Sequence, residues 1–156
     1  MDEARRVVLR GAGATGMLAA ALAAGLLKPE RAIAASWNKA AFDSKSTVDA
    51  LQKMGAANPQ NTGDIVIEAP EIAENGAVVP IEISSKVPGT TSIAVLVEKN
   101  PQPLAGQFQF MAGALPFVKV NVKMGGSSLV RVVAQAGGKY YTATKEIKVT
   151  LGGCGG

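Results

Sequence analysis

The chain has 156 residues, a formal net charge of +4, one cysteine and no histidine. That length holds one domain with a short appendage, and the charge is divided evenly: residues 1–34 carry five basic and three acidic side chains, the remainder eleven and nine. A nearly balanced domain with few aromatics and no basic run has no nucleic-acid footprint, and the missing histidine excludes histidine triads, histidine zinc sites and histidine haem ligation.

The N-terminus reads as an export signal. Ala4-Arg5-Arg6-Val7-Val8-Leu9-Arg10 places a twin arginine, Arg5 and Arg6, ahead of apolar residues. Gly11 to Leu27 follow, seventeen uncharged residues dominated by Ala, Gly and Leu, and Ala32-Ile33-Ala34 gives the small-x-small pattern of a cleavage site. Seventeen weakly apolar residues stand at the bottom of the membrane-spanning range. The pattern fits a twin-arginine (Tat) signal over 1–34, removed after Ala34 or Ala35, better than a membrane anchor. Export by that route leads to the periplasm, an oxidising compartment, with no membrane attachment after removal. Gly11-Ala12-Gly13-Ala14-Thr15-Gly16 imitates a dinucleotide fingerprint, but no strand precedes it.

Residues 35–57 form a helical segment. Ser46 is placed to cap, with Asp49 three residues on; Val48, Leu51 and Met54 recur on one face, and Gly55 supplies the stop. Trp37 and Phe42 are expected to pin the segment onto the domain.

From residue 58 the pattern changes to period two. Asn58-Pro59-Gln60-Asn61-Thr62-Gly63 is a loop. Ile65 and Ile67 alternate with Asp64, Val66 and Glu68, and Pro70 ends that strand. Val79, Ile81 and Ile83 form a second strand, in which Pro80 indicates an edge position or a bulge. Ser92 to Glu98 is continuous enough to be central, and Phe108 and Phe110 mark a fourth strand. Val118, Val120, Val122 and Met124 alternate with Lys119, Asn121 and Lys123, giving one buried and one wet face. Val130, Val132 and Ala134 continue inward, Gly137-Gly138 signals a hairpin, and a last strand runs from Lys139 to Leu151. Seven strands without helical crossovers predict an all-β, immunoglobulin-like antiparallel sandwich over 58–151, preceded by a short N-terminal helix. Its usual inter-sheet disulfide is excluded by the single cysteine.

That cysteine stands in Gly152-Gly153-Cys154-Gly155-Gly156. Glycine is unrestricted in φ/ψ and costly to order, so residues 152–156 are expected to be a thin, flexible arm. Cys154 is three residues beyond Leu151, a reach of roughly 10 Å. Unperturbed, its thiol has a pKa near 8.5, about what free cysteine shows, and glycine neighbours supply no base. A catalytic nucleophile needs a base or positive surroundings in its own fold. A carrier needs exposure, reach and slimness, and its client enzymes supply activation. The residues thus point to a covalent carrier with Cys154 as attachment point, no catalytic residue, no metal and no cofactor. Two other readings are open: an exported interaction module whose tail cysteine forms a disulfide dimer, and a thiol oxidoreductase or peroxidase.

The ending Lys145-Glu146-Ile147-Lys148-Val149-Thr150-Leu151-Gly152-Gly153-Cys154-Gly155-Gly156 resembles that of the SoxY family, the sulfur-carrier subunits of the periplasmic thiosulfate-oxidising (Sox) system. Asn75-Gly76-Ala77-Val78-Val79-Pro80, Asn100-Pro101-Gln102-Pro103, Phe108-Gln109-Phe110 and Gly138-Lys139-Tyr140-Tyr141 extend the likeness. Lys119-Val120-Asn121-Val122 and Gly137 depart from the family pattern, at strand and turn positions where partner surfaces would differ. The resemblance implies that Cys154 holds thiosulfate-derived intermediates as covalent adducts. It also implies a SoxZ partner in a heterodimer, and transient encounters with the SoxAX cytochrome, the SoxB hydrolase and, where present, SoxCD.

Overall fold

Alternating apolar and polar residues fold this chain into two sheets packed face to face. The computed structural model describes residues 38–150. Two short helices, α1 (Lys39–Phe42) and α2 (Thr47–Lys53), precede nine strands: β1 (Gln60–Asn61), β2 (Ile65–Glu68), β3 (Ile72–Ala73), β4 (Val79–Ser85), β5 (Thr90–Val97), β6 (Leu104–Gln109), β7 (Phe117–Val122), β8 (Ser128–Ala136) and β9 (Lys139–Val149). The first sheet runs β1-β9-β8-β5-β6, with β3 joining β9 further along, and the second runs β2-β4-β7.

The alternation is borne out strand by strand. Val79, Ile81 and Ile83 of β4, Val95 and Val97 of β5, Val130 and Val132 of β8 and Ile147 of β9 are fully buried between the sheets. Val118, Val122 and Met124 join them, while Val120 is only half-buried. On the wet face of the second sheet, Lys119 pairs with Glu82 of β4 at 2.6 Å, and the carboxylate beside it raises the Lys119 pKa. Strand β5 is central, with β8 on one side and β6 on the other. Pro80 sits in β4 beyond the end of β2, whose pairing starts at Glu82, so the strand there has a neighbour on one side only. Gly137 and Gly138 both take positive φ, +56° and +75°, the combination a two-residue hairpin turn requires.

Two features depart from the expected layout. Strands β1 and β3 pair with β9 in parallel, so the sandwich is not wholly antiparallel. They are two-residue segments inside stretches that read as loops; seven strands of four residues or more remain among the described residues. The N-terminal segment is two helices, not one. Past the end of α1, Ser44 donates its hydroxyl to Ala40 O at 3.1 Å, and Asn38 clasps the pair by donating its side-chain amide to Lys53 O at 3.0 Å.

The helices cover the outer face of the first sheet. Ala41, Ala50, Leu51 and Ala56 pack on Ala94, Leu96, Leu104 and Val133, with Phe42, Met54 and Tyr140 at the margin. Val48 does not share that face: it is 65% exposed, because the small Ala41 and Ala50 set the line of close approach. Trp37 lies outside the described residues. Tyr140 donates its hydroxyl to Met54 O at 3.0 Å, joining the end of α2 to the start of β9. Ser46 caps α2 as expected, its Oγ accepting from Asp49 N at 3.1 Å, and Gly55 ends the segment at φ +76°. Ser46→Ala should cost about 1 kcal/mol, the usual value of an N-cap, measured as a lowered urea midpoint at unchanged m-value.

Candidate functional site at the end of the last strand

Strand register places the last residues of β9 at one pole of the sandwich. Ser128, at the start of β8, pairs with Ile147, and Val130 pairs with Val97 near the end of β5. The ends of β5 and β9 therefore lie together, beside the loop from Lys123 to Ser127. At the opposite pole are the Gly137–Gly138 hairpin and the loop from Phe110 to Pro116.

The final residues of β9 are held on both edges. On one, Lys148 N donates to Glu71 O at 2.9 Å and Thr150 N to Ala73 O at 3.0 Å, the alternation of a parallel ladder. The Thr150 hydroxyl adds a contact of 3.4 Å to the same Ala73 carbonyl. On the other edge, Val149 N donates to Ser127 Oγ at 2.9 Å.

Two loops support this fastening. Met124 N donates to Gly76 O at 2.7 Å, and the approach is so close that a Cβ on Gly76 would stand 2.5 Å from Met124 O and 2.9 Å from the Val149 side chain. Only glycine fits there. Asn75 shapes its turn by accepting Ala77 N at 2.9 Å. Asn100 bridges from the other side, donating to Lys123 O at 2.7 Å and accepting from Gly125 N at 3.1 Å. Nearby, Arg131 of β8 and Glu98 pair at 2.7 Å with about a quarter of each side chain exposed, tying β8 to the end of β5.

The surface around this point is mixed in sign. Glu71, Ile72, Lys145, Glu146 and Lys148 line a shallow groove of about 360 Å³ along β3 and β9. An apolar cleft of about 210 Å³ opens between the edges of β6 and β7, over Val95, Phe108, Val120 and Val122. Neither groove sets a nucleophile beside a base. Among the described residues no group of three or more His, Cys, Asp or Glu is arranged to hold a metal, and no helix is long and apolar enough to cross a membrane.

Of the residues singled out from the sequence, Cys154, Gly152, Gly153, Gly155 and Gly156, with Arg5 and Arg6, lie outside the described residues. What the structure adds is the point of departure, Val149–Thr150, and the residues that secure it. Ser127, Gly76, Ala73 and Asn100 carry no chemical motif. The Gly-rich Gly125-Gly126-Ser127-Ser128 stretch reads as a turn, and Ile72-Ala73 is too short to read as a strand.

Fold and sequence together define a class: an immunoglobulin-like β-sandwich with a lone, glycine-flanked cysteine four residues past the last fastened position of its final strand. The chain belongs to the SoxY family, whose model, "Sulfur oxidation protein SoxY", matches residues 50–154 and so ends on Cys154. Among solved structures, the sulfur carrier protein SoxY from Chlorobium limicola f thiosulfatophilum is 38% identical, with a TM-score of 0.60 over 66% of this chain and 94% of that one. A superoxide reductase (neelaredoxin) from Ignicoccus hospitalis overlaps at 21% identity and a TM-score of 0.49, covering 62% of this chain and 86% of that one. No curated protein matches the sequence.

Proposed function

We propose that this protein is a covalent sulfur carrier of thiosulfate oxidation, with the Cys154 thiol as the attachment point. The observation that carries the reading is the junction at Thr150. A strand fastened on both edges is followed, four residues after Thr150, by a cysteine between two glycine pairs, in a chain of the SoxY family. From Thr150 to Cys154 the backbone spans at most about 13–14 Å. That is enough to enter a narrow active site while the sandwich stays outside.

The chemistry balances with outside enzymes as the only catalysts. The thiolate and thiosulfate join as a Cys–S–S–SO₃⁻ adduct with loss of two electrons, which the SoxAX cytochrome takes up. Water then attacks the terminal sulfonate sulfur with help from the SoxB hydrolase, releasing sulfate and two protons and leaving a persulfide, Cys–S–S⁻. Where SoxCD is present, it oxidises that sulfane sulfur before a further hydrolysis. The carrier supplies position and a leaving sulfur. It has no catalytic residue of its own in this scheme, and needs no cofactor or metal.

The same reading assigns 1–34 as a Tat signal with Arg5 and Arg6 as its twin arginine, 35–57 as a helical brace, 58–151 as the carrier body and 152–156 as the arm. The working protein is periplasmic and pairs with SoxZ. The decisive experiment is intact-mass measurement of the protein taken from cells consuming thiosulfate. Additions corresponding to a thiosulfonate or extra sulfur are expected on Cys154, and a mass that never departs from the bare polypeptide overturns the proposal.

Slimness is testable separately. Gly153→Val puts a β-branched side chain beside the thiol and narrows its backbone freedom. Folding should be unchanged, while kcat/KM for SoxB acting on the loaded carrier falls by about tenfold or more, the scale on which small misplacements cost rate.

A further inference from the structure

The carrier reading leaves one arrangement unused, the exchange of partners at the end of β9. Its ladder with β8 stops at the Ser128–Ile147 pair. Continued in register, it would set Val149 opposite Gly126, and no such pair forms. The Ser127 hydroxyl stands in for the missing strand. It accepts from Val149 N at 2.9 Å and donates back to Val149 O at 3.5 Å, both backbone groups of one residue meeting a single side-chain oxygen. Ser127 is exposed and belongs to neither core cluster, so packing does not account for its placement. Its loop is in turn held by Gly76 through Met124 and by Asn100 through Lys123 and Gly125.

We infer that Ser127 is a positioning residue for the carrier: it fixes Val149 at the end of β9, and so the base from which the chain that bears Cys154 is offered to a partner enzyme. This rests on the carrier reading. With Ser127 in place, the strand end is secured on both edges, by Val149 on one and by Lys148 and Thr150 on the other, and the tether begins after Thr150. Without it, both backbone groups of Val149 lose their partner, the strand end is held only through Lys148 and Thr150 on the β3 side, and the origin of the tether is less well defined. An enzyme that docks on the sandwich while acting on the thiol senses that origin; a small reagent that meets the thiol from solution does not.

The test uses the full mature chain as wild type, Ser127→Ala and Ser127→Thr. Loss of one hydrogen bond should speed hydrogen exchange of the Val149 amide about fivefold in the alanine variant. Alkylation of Cys154 by iodoacetamide should be unchanged. Oxidative loading of thiosulfate by SoxAX should fall roughly three- to tenfold in kcat/KM, and the threonine variant, which keeps the hydroxyl, should recover it. Wild-type loading in Ser127→Ala despite accelerated Val149 exchange would overturn the inference. So would a parallel loss of alkylation, because the thiol itself and not its presentation would then have changed. Failure of the carrier reading shows differently: the wild-type protein itself takes up no adduct.

Discussion

Cys154→Ser should abolish thiosulfate-dependent electron transfer to cytochrome, with no measurable residual rate, while leaving the unfolding midpoint within about 1 °C of wild type. One atom changes, sulfur to oxygen, but the chemistry required of it disappears. A thiol yields about a few per cent of nucleophilic anion near neutral pH and a hydroxyl essentially none, and a hydroxyl cannot be joined oxidatively to a sulfur atom as a stable disulfide-type bond. No neighbouring group can substitute, because the chain has no second cysteine and no histidine. The exchange leaves unchanged every buried residue that unites the two sheets among the described residues, so the unfolding midpoint should hold. The measurement is cytochrome reduction in a mixture of purified carrier and partner enzymes, alongside thermal unfolding of both proteins. The interaction-module reading makes the opposite forecast: a non-reducible fused dimer without Cys154 would keep full activity.

Much of the fold was legible because its cues are local. Val118 to Met124 alternates so regularly that face assignment follows from period alone, and the buried Val118, Val122 and Met124 confirm it. Gly137-Gly138 announces a turn that needs two positive φ angles, and Ser46 with Asp49 announces a cap. What escaped was structure made by distant neighbours. Gln60–Asn61 and Ile72–Ala73 become strands only because β9 offers an edge more than seventy residues later in the chain. Val48 belongs to a sound helical pattern, yet Ala41 and Ala50, too small to register as a stripe, decide which face approaches the sheet.

The candidate site divides the same way. Cys154 stands out because a lone thiol between glycines has few structural uses. Ser127 does not, because a serine after two glycines is what any turn contains, and its task depends on where β9 happens to end. Gly76 was noticed as part of a turn, but the reason no other residue fits, the Met124 carbonyl and the Val149 side chain against its Cα, is tertiary.

Ile147→Ala is expected to be the most destabilising of the single changes considered. Ile147 is fully buried and pairs with Ser128 at the last rung of the β8–β9 ladder, directly before the residues that Ser127 and Ala73 hold. Truncation removes transfer energy and leaves a cavity between the sheets, together costing roughly 2–5 kcal/mol, whereas Ile147→Val, which keeps the branched shape, should cost about 0.5–1.5 kcal/mol. For a domain near 100 residues each kcal/mol lowers the midpoint by about 4–8 °C, so alanine should bring a fall of roughly 8–40 °C and valine one of roughly 2–12 °C, the smaller of the two. Urea unfolding of both variants is the check, and similar midpoints for the two would mean the site relaxes to fill the cavity. A functional consequence follows from position. Because the weakened rung lies just inside the fastened residues, β9 should fray from its C-terminal end first, exposing the Lys148, Val149 and Thr150 amides to exchange before the rest of the strand. Loading by partner enzymes should then decline at temperatures below the global transition, while alkylation of Cys154 by a small reagent continues undiminished.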